Sequence, residues 1–200
     1  MNSLDDSGAI FRYHRDMADW HGVNSSLALG WRSADDQLVR FEALAGIGDL
    51  DGKTVLDAGC GYGDLFAFLR SRYALSHYYG VEQIPELLEE ALRRHWNSNH
   101  ATFMARNFLN RELPVADYVF ASGSLNYASS DPVYIFKAIN TLFNHCRSGL
   151  AFNLLHTVTE NGLLVAYEPE LILEYCRTLS PRVEYRDGYA ADDFTIWLYR

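Results

Sequence analysis

At 200 residues the chain is long enough for one sizeable core and too short for two full domains. Its 26 acidic residues outnumber 17 Lys and Arg, and a net charge of −9 argues against a nucleic-acid partner held by phosphate contacts. No apolar run approaches the ~20 residues of a membrane helix, and the start, M-N-S-L-D-D-S-G, lacks the basic and apolar parts of a signal peptide, so a cytoplasmic protein with no membrane partner is expected.

In chain order, residues 1–48 read as a helical extension ahead of a main domain at 49–200. Phe11, Met17 and Trp20 are spaced to share one helical face, and Leu38, Phe41, Leu44 and Ala45 a clearer one. Glycines 46, 48 and 52 then lead into a first strand at 54–57. V-L-D-A-G-C-G-Y-G-D-L, residues 55–65, follows as an apolar strand, an acid and a glycine turn. Asp57 precedes Gly59, Gly61 and Gly63, whose bare backbone lets a ligand approach closely; Cys60 between them reads as a small packing residue. Glu82 lies about 20 residues further on, the separation at which nucleotide-binding folds place a ribose-binding acid.

Further strands are expected at 78–81, 101–105, 116–121 and 150–154. Helices are expected at 65–72, 85–96, 132–145 and 169–179, the last three each opened by a first-turn proline. Strands alternating with helices imply a parallel sheet covered on both faces, an α/β fold. R-V-E-Y-R and F-T-I-W-L-Y-R, joined by D-G-Y-A-A-D-D, read as a closing pair that brings one antiparallel strand into the sheet. Cys60, Cys146 and Cys176 are too far apart to suggest a disulfide framework or a metal site.

From about residue 50 onward these segments resemble the class I S-adenosylmethionine-dependent methyltransferases. The resemblance implies a Rossmann-like, doubly wound sheet of about seven strands, mostly parallel with an antiparallel C-terminal strand, under an N-terminal helical lid. It makes 55–65 the first motif, under the methionine part of the cofactor, and Y-G-V-E-Q-I the second. There Glu82 would accept the ribose hydroxyls beside Gln83. A-R-N-F-L takes the third motif's place, with Asn107 or Phe108 against the adenine. A-D-Y-V-F-A-S-G-S-L-N takes the fourth, where Ala121 and Ser122 would border the cofactor and where ligands gather in such sheets. Nucleobase amino methyltransferases commonly carry an Asn or Asp-Pro-Pro-aromatic tetrad there; Ala121, Ser122, Gly123 and Ser124 in its place disfavour that substrate class.

The implied activity is methyl transfer from S-adenosyl-L-methionine, giving S-adenosyl-L-homocysteine, to an oxygen or nitrogen of a small metabolite, with no metal. Positioning supplies most of the help in such a displacement, roughly 7–11 kcal/mol in favourable cases, so no diagnostic base is required. Candidates by location are Asn126 and Tyr127 after the fourth strand, His156 after the fifth, and Tyr13, His14 and His21 in the lid. Trp31 belongs to the lid, and Arg32 and Arg40 compete to pair with the cofactor carboxylate. A nicotinamide-dependent oxidoreductase remains an alternative on the glycines and acid spacing alone, distinguished by a parallel last strand. A regulatory module that holds the cofactor without turnover is another.

Overall fold

A computed structural model of the chain describes residues 3–23, 25–109, 112–158 and 162–200, and the side chains of all of these but 3–6. Met1 and Asn2, at the head of the stretch read for a signal peptide, lie outside the described residues. Helix α1 (Ser3–His21), a short 3-10 helix (Ser26–Leu29) and α2 (Ala34–Ala45) precede the sheet. Then follow β1 (Thr54–Ala58), α3 (Asp64–Arg70), β2 (His77–Glu82), α4 (Pro85–Arg94), β3 (Ala101–Ala105) and β4 (Ala116–Ala121). The chain continues through α5 (Tyr134–Asn144), β5 (Cys146–Leu155), α6 (Pro169–Leu179), β6 (Val183–Arg186) and β7 (Asp193–Tyr199).

The seven strands stand in the order β3-β2-β1-β4-β5-β7-β6. β1 pairs parallel with both β2 and β4, and β7 runs antiparallel to both its neighbours. The expected Rossmann-like sheet with one antiparallel C-terminal strand is therefore the observed one. The sequence progression reverses between β1 and β4, so the loops after these two strands part there and leave a crevice at the strands' carboxyl ends.

Strand alternation divides the core. Val55, Phe120, Ala151 and Trp197 face the layer of α2 and α3, packing on Phe41, Leu44, Phe66 and Leu69. Their neighbours Leu56, Val119, Leu150, Phe152, Ile196 and Leu198 point the other way, onto Ile139 and Leu142 of α5 and Ile172 of α6. A smaller cluster of Ile10 and Ala28 with Tyr62, Ile84 and Leu87 seats the N-terminal helices on the sheet's carboxyl edge.

Three expectations shift. Leu38 is 39 % exposed, because α2 turns Gln37 and Arg40 inward beside Phe41 and Leu44. Among the described side chains of α1, Ile10 and His14 are the buried ones while Trp20 is 83 % exposed and stacks on His21. Pro132 precedes α5 rather than opening it, since that helix begins at Tyr134 after a turn in which Val133 N–H donates to Asp131. Pro85 and Pro169 do open their helices.

Candidate cofactor and acceptor site

The crevice is a cavity of about 330 Å3, floored by the glycine turn, the end of β2 and the loop after β4, and roofed by α1, the 3-10 helix and α2. Of the residues expected from the sequence, Asp57, Gly59, Cys60, Gly61, Glu82, Gln83, Phe108, Ser122, Asn126, Tyr127, Trp31 and Arg40 line it. Gly63, Asn107, Ala121 and His156 are not among the lining residues.

The floor is built by backbone donors around one acid. Glu82 accepts the Gly61 N–H at 2.9 Å, and the Gln83 and Ile84 N–H groups at 2.8 and 2.9 Å. Oε2 carries only one of the three and keeps acceptor capacity toward the cavity. Burial raises the Glu82 pKa while these donors hold it down. Gly59 adopts φ +80°, and a Cβ there would stand 2.4 Å from the Ser124 Cβ, whose hydroxyl bonds the Ala58 carbonyl at 2.6 Å. That contact brings the β4 loop onto the glycine turn. Gly59→Ala is expected to lower the midpoint of a thermal melt by several degrees; an unchanged melt would contradict the close approach.

Among the described residues, two buried polar atoms on the cavity wall have no protein partner, Asp57 Oδ1 and Ser122 Oγ. Asp57 accepts the Tyr78 hydroxyl on its other oxygen. Burial is the largest influence on its carboxyl, lifting it to about 7 against the Tyr78 bond, with Glu82 and Asp64 adding to the rise. Burial, Asp57 and Glu82 push the Cys60 thiol well up, so it stays protonated and packs as a small side chain.

The roof corrects the arginine expectation. Arg40 is 2 % exposed and already committed: Nε reaches Asp193 at 2.8 Å, Nη1 reaches the Asp36 carboxylate at 2.6 Å, and Nη2 reaches Asp192 at 3.1 Å. With its donors turned to these three acids, the guanidinium is a clamp between α2 and the start of β7, not a free fork for a cofactor carboxylate. Arg32 is exposed and pairs with Asp192. Trp31 lies over Gly123 and under the Arg40 guanidinium, 5.3 Å from its ring centroid.

Strand alternation also moves His156. Leu155 and Thr157 line the cavity, so the intervening imidazole points away, exposed and 3.0 Å from the Thr157 hydroxyl. Asn107 is likewise spent locally, its Oδ1 accepting the Leu109 N–H at 2.9 Å, while Phe108 is buried at the cavity wall. Gly63 instead caps α3, where a Cβ would meet His95 and Phe103. Asn126 is buried and accepts the Leu155 N–H at 2.9 Å, tying the β4 loop to the end of β5.

Not foreseen as a pair are His14 and Tyr127, both lining the cavity, whose ring nitrogen and hydroxyl are 2.6 Å apart. Ile10, Tyr13 and His14 lie on one face of α1 at helical spacing, a signal obscured by reading Phe11, Met17 and Trp20 as the face. Asp36, Gln37, Asp64, Asp192 and Asp193 also line the cavity unforeseen. Among the described residues no group of His, Cys, Asp and Glu could hold a metal ion, and no helix is long and apolar enough to cross a membrane.

A glycine turn after β1, with Asp57 as that strand's penultimate residue, an acid ending β2 and an antiparallel β7 define a Rossmann-like α/β fold. A family model described as a methyltransferase domain matches residues 55–149. A protein of Mycobacterium tuberculosis named as a methyltransferase (Rv1506c) is 30% identical over 153 residues, 72% of this chain and 90% of that protein. The trans-aconitate 2-methyltransferase of an Enterobacter species is 28% identical over 173 residues, 86% of this chain and 60% of that protein. The magnesium protoporphyrin IX methyltransferase of Synechocystis PCC 6803, with bound S-adenosylhomocysteine, superposes at a TM-score of 0.74 with 17% identity, over 98% of this chain and 99% of that one. The chain belongs to the class I S-adenosylmethionine-dependent methyltransferases.

That family's methyl donor is S-adenosylmethionine. The cavity's residues fit it: the unpartnered Asp57 and Ser122 oxygens and the spare Glu82 oxygen are acceptors for a ligand rich in hydroxyl and ammonium donors.

Proposed function

We propose that the chain transfers the methyl group of S-adenosylmethionine to an oxygen or nitrogen of a small metabolite held beneath the N-terminal helices. The supporting observation is the cavity itself. It joins the glycine turn, Glu82 and the β4 loop in one space of about 330 Å3, within the ~300–1,000 Å3 common for small-molecule sites. In this reading Glu82 accepts the ribose hydroxyls, Gln83 and Phe108 border the adenosine, and Asp57 with Ser122 face the amino-acid part. Residues 1–48 act as the lid and 49–200 as the cofactor domain. The bound sulfonium supplies an activated methyl, and the protein's own part is to orient donor and acceptor and exclude water.

The nicotinamide alternative loses its ground with the antiparallel β7, since a parallel last strand was its distinguishing feature. Glu82→Gln keeps the side chain's size but turns an amide N–H toward a backbone donor. It is expected to weaken S-adenosylmethionine binding at least tenfold by calorimetry, the loss of one hydrogen bond to a charged group. Methylated product from a metabolite panel separates turnover from mere holding of the cofactor. Folded wild-type protein that binds no S-adenosylmethionine would overturn the proposal.

A further inference from the structure

We infer that the acceptor is an acidic aromatic hydroxyl, a phenol, whose proton leaves through Tyr127 to His14; the inference rests on the methyl-transfer reading above. The geometry comes first. His14 is buried on α1, with Nδ1 3.4 Å from the Ala28 carbonyl and Nε2 2.6 Å from the Tyr127 hydroxyl. A carbonyl oxygen only accepts, so Nδ1 carries the proton and Nε2 is left as the acceptor for Tyr127 O–H. Both residues line the cavity, and the Tyr127 oxygen keeps a lone pair beyond its bond to His14.

The groups around this pair are few. Tyr13 stands edge-on to His14 from the same helix, and Glu82 and Tyr134 are the further ionisable groups that bear on Tyr127. Burial lowers the His14 pKa, so the imidazole is neutral and ready to accept at neutral pH. Burial pushes the Tyr127 phenol far up, so no tyrosinate accumulates and the two protons move together. A weakened imidazole base matches an acidic hydroxyl better than an aliphatic alcohol, whose proton is far harder to remove.

The rest of the cavity agrees. Ile10, Leu29, Ile84, Leu87, Phe108 and Leu164 supply apolar wall for a ring. The charged lining is acidic: Asp36, Asp57, Asp64, Glu82, Asp192 and Asp193 stand against Arg32 and Arg40 among the described lining residues, and Asp64 is also paired with Arg94 at 2.9 Å. Both arginines are held by carboxylates. A neutral acceptor enters such a site where a polycarboxylate meets repulsion.

The step balances. The phenol proton passes to the Tyr127 oxygen as Tyr127 gives its own proton to His14 Nε2. The phenol oxygen forms the new O–C bond, the C–S bond breaks with its electron pair on sulfur, and an aryl methyl ether, a neutral thioether and an imidazolium remain. The imidazolium then returns its proton to water.

The test uses 4-nitrophenol and 7-hydroxycoumarin, whose phenolates absorb at longer wavelength than the neutral forms. Each is added at pH 6 to the full chain saturated with S-adenosylhomocysteine, and then turned over with S-adenosylmethionine. In the wild type the bound probe should be more ionised than the probe bound to His14→Gln under the same conditions. That variant keeps a donor near Tyr127 but no base, and should hold the bound probe in its neutral form. It should also lower kcat for probe methylation by about 10²- to 10⁴-fold with the KM for S-adenosylmethionine unchanged. Tyr127→Phe removes one oxygen with little risk to the fold and should reproduce both effects. Equal probe ionisation in wild type and His14→Gln, or exclusion of both phenols by a protein that methylates amines or polycarboxylates, overturns the assignment. Absence of calorimetric S-adenosylhomocysteine binding by the wild type would overturn the methyl-transfer reading beneath it.

Discussion

Arg40→Met is expected to destabilise the protein by about 3–5 kcal/mol, because removing one partner from a buried ion pair strands the other charge. Here Asp193, 2 % exposed, would lose its guanidinium, while Asp192 would keep only the exposed Arg32. The loss has a predicted pH dependence. Burial already lifts the Asp193 carboxyl to about 6 against the pull of Arg40, and without Arg40 it rises further. A raised carboxyl pKa means that the neutral form folds best, so the variant's deficit should be largest at pH 8 and shrink as pH falls through that range. Urea denaturation of both proteins at pH 5 and pH 8 reads this directly. Equal midpoints at pH 8 would show that the clamp contributes nothing.

Asp57→Asn should move stability and ligand affinity in opposite directions. The carboxyl titrates near 7 in the folded chain, against an ordinary value of 3.8. Its folded pKa is raised, so its cost is absent below the unfolded value, grows between pH 3.8 and about 7, and is complete above. At one pH unit per ~1.4 kcal/mol the full cost is at most about 4 kcal/mol. An amide keeps an acceptor for the Tyr78 hydroxyl and carries no charge. The ligand-free variant should therefore melt higher than wild type at pH 8 and equal to it at pH 4. S-adenosylmethionine, which brings an ammonium and a sulfonium, should bind the variant about ten- to a hundredfold more weakly at pH 8. A variant that binds as tightly as wild type would remove Asp57 from the cofactor's surroundings.

Much of this was legible from short-range pattern. The alternation in V-L-D-A and F-T-I-W-L-Y sets which residues enter which layer, and glycines 59 and 61 with Glu82 fall where the turn and the end of β2 require them. What escaped depended on phase or on distance. His156 misled because the end of a strand fixes a side but not which residue faces it, and the intervening position points to solvent. Leu38 misled because the site draws Gln37 and Arg40 inward, so hydrophobic spacing held for Phe41, Leu44 and Ala45 but not for Leu38. Asn107 misled because a local turn claimed its side chain. The destiny of Arg40 is written 153 residues away, and the pairing of His14 with Tyr127 across 113; no local spacing records either.

The Arg40 clamp carries a consequence for the order in which the protein assembles. Two of its three partners, Asp192 and Asp193, lie at the start of the strand that inserts between β5 and β6, and that strand follows the other six in the sequence. During synthesis β1 through β4 and the glycine turn can form while Arg40 has only Asp36 of its own helix as counter-charge. The roof then docks only when Asp192 and Asp193 arrive, and closing a contact across so many residues is intrinsically slow. A nascent chain halted before Asp192 would expose its half-built floor to water and to other chains, a stage at which aggregation competes with folding.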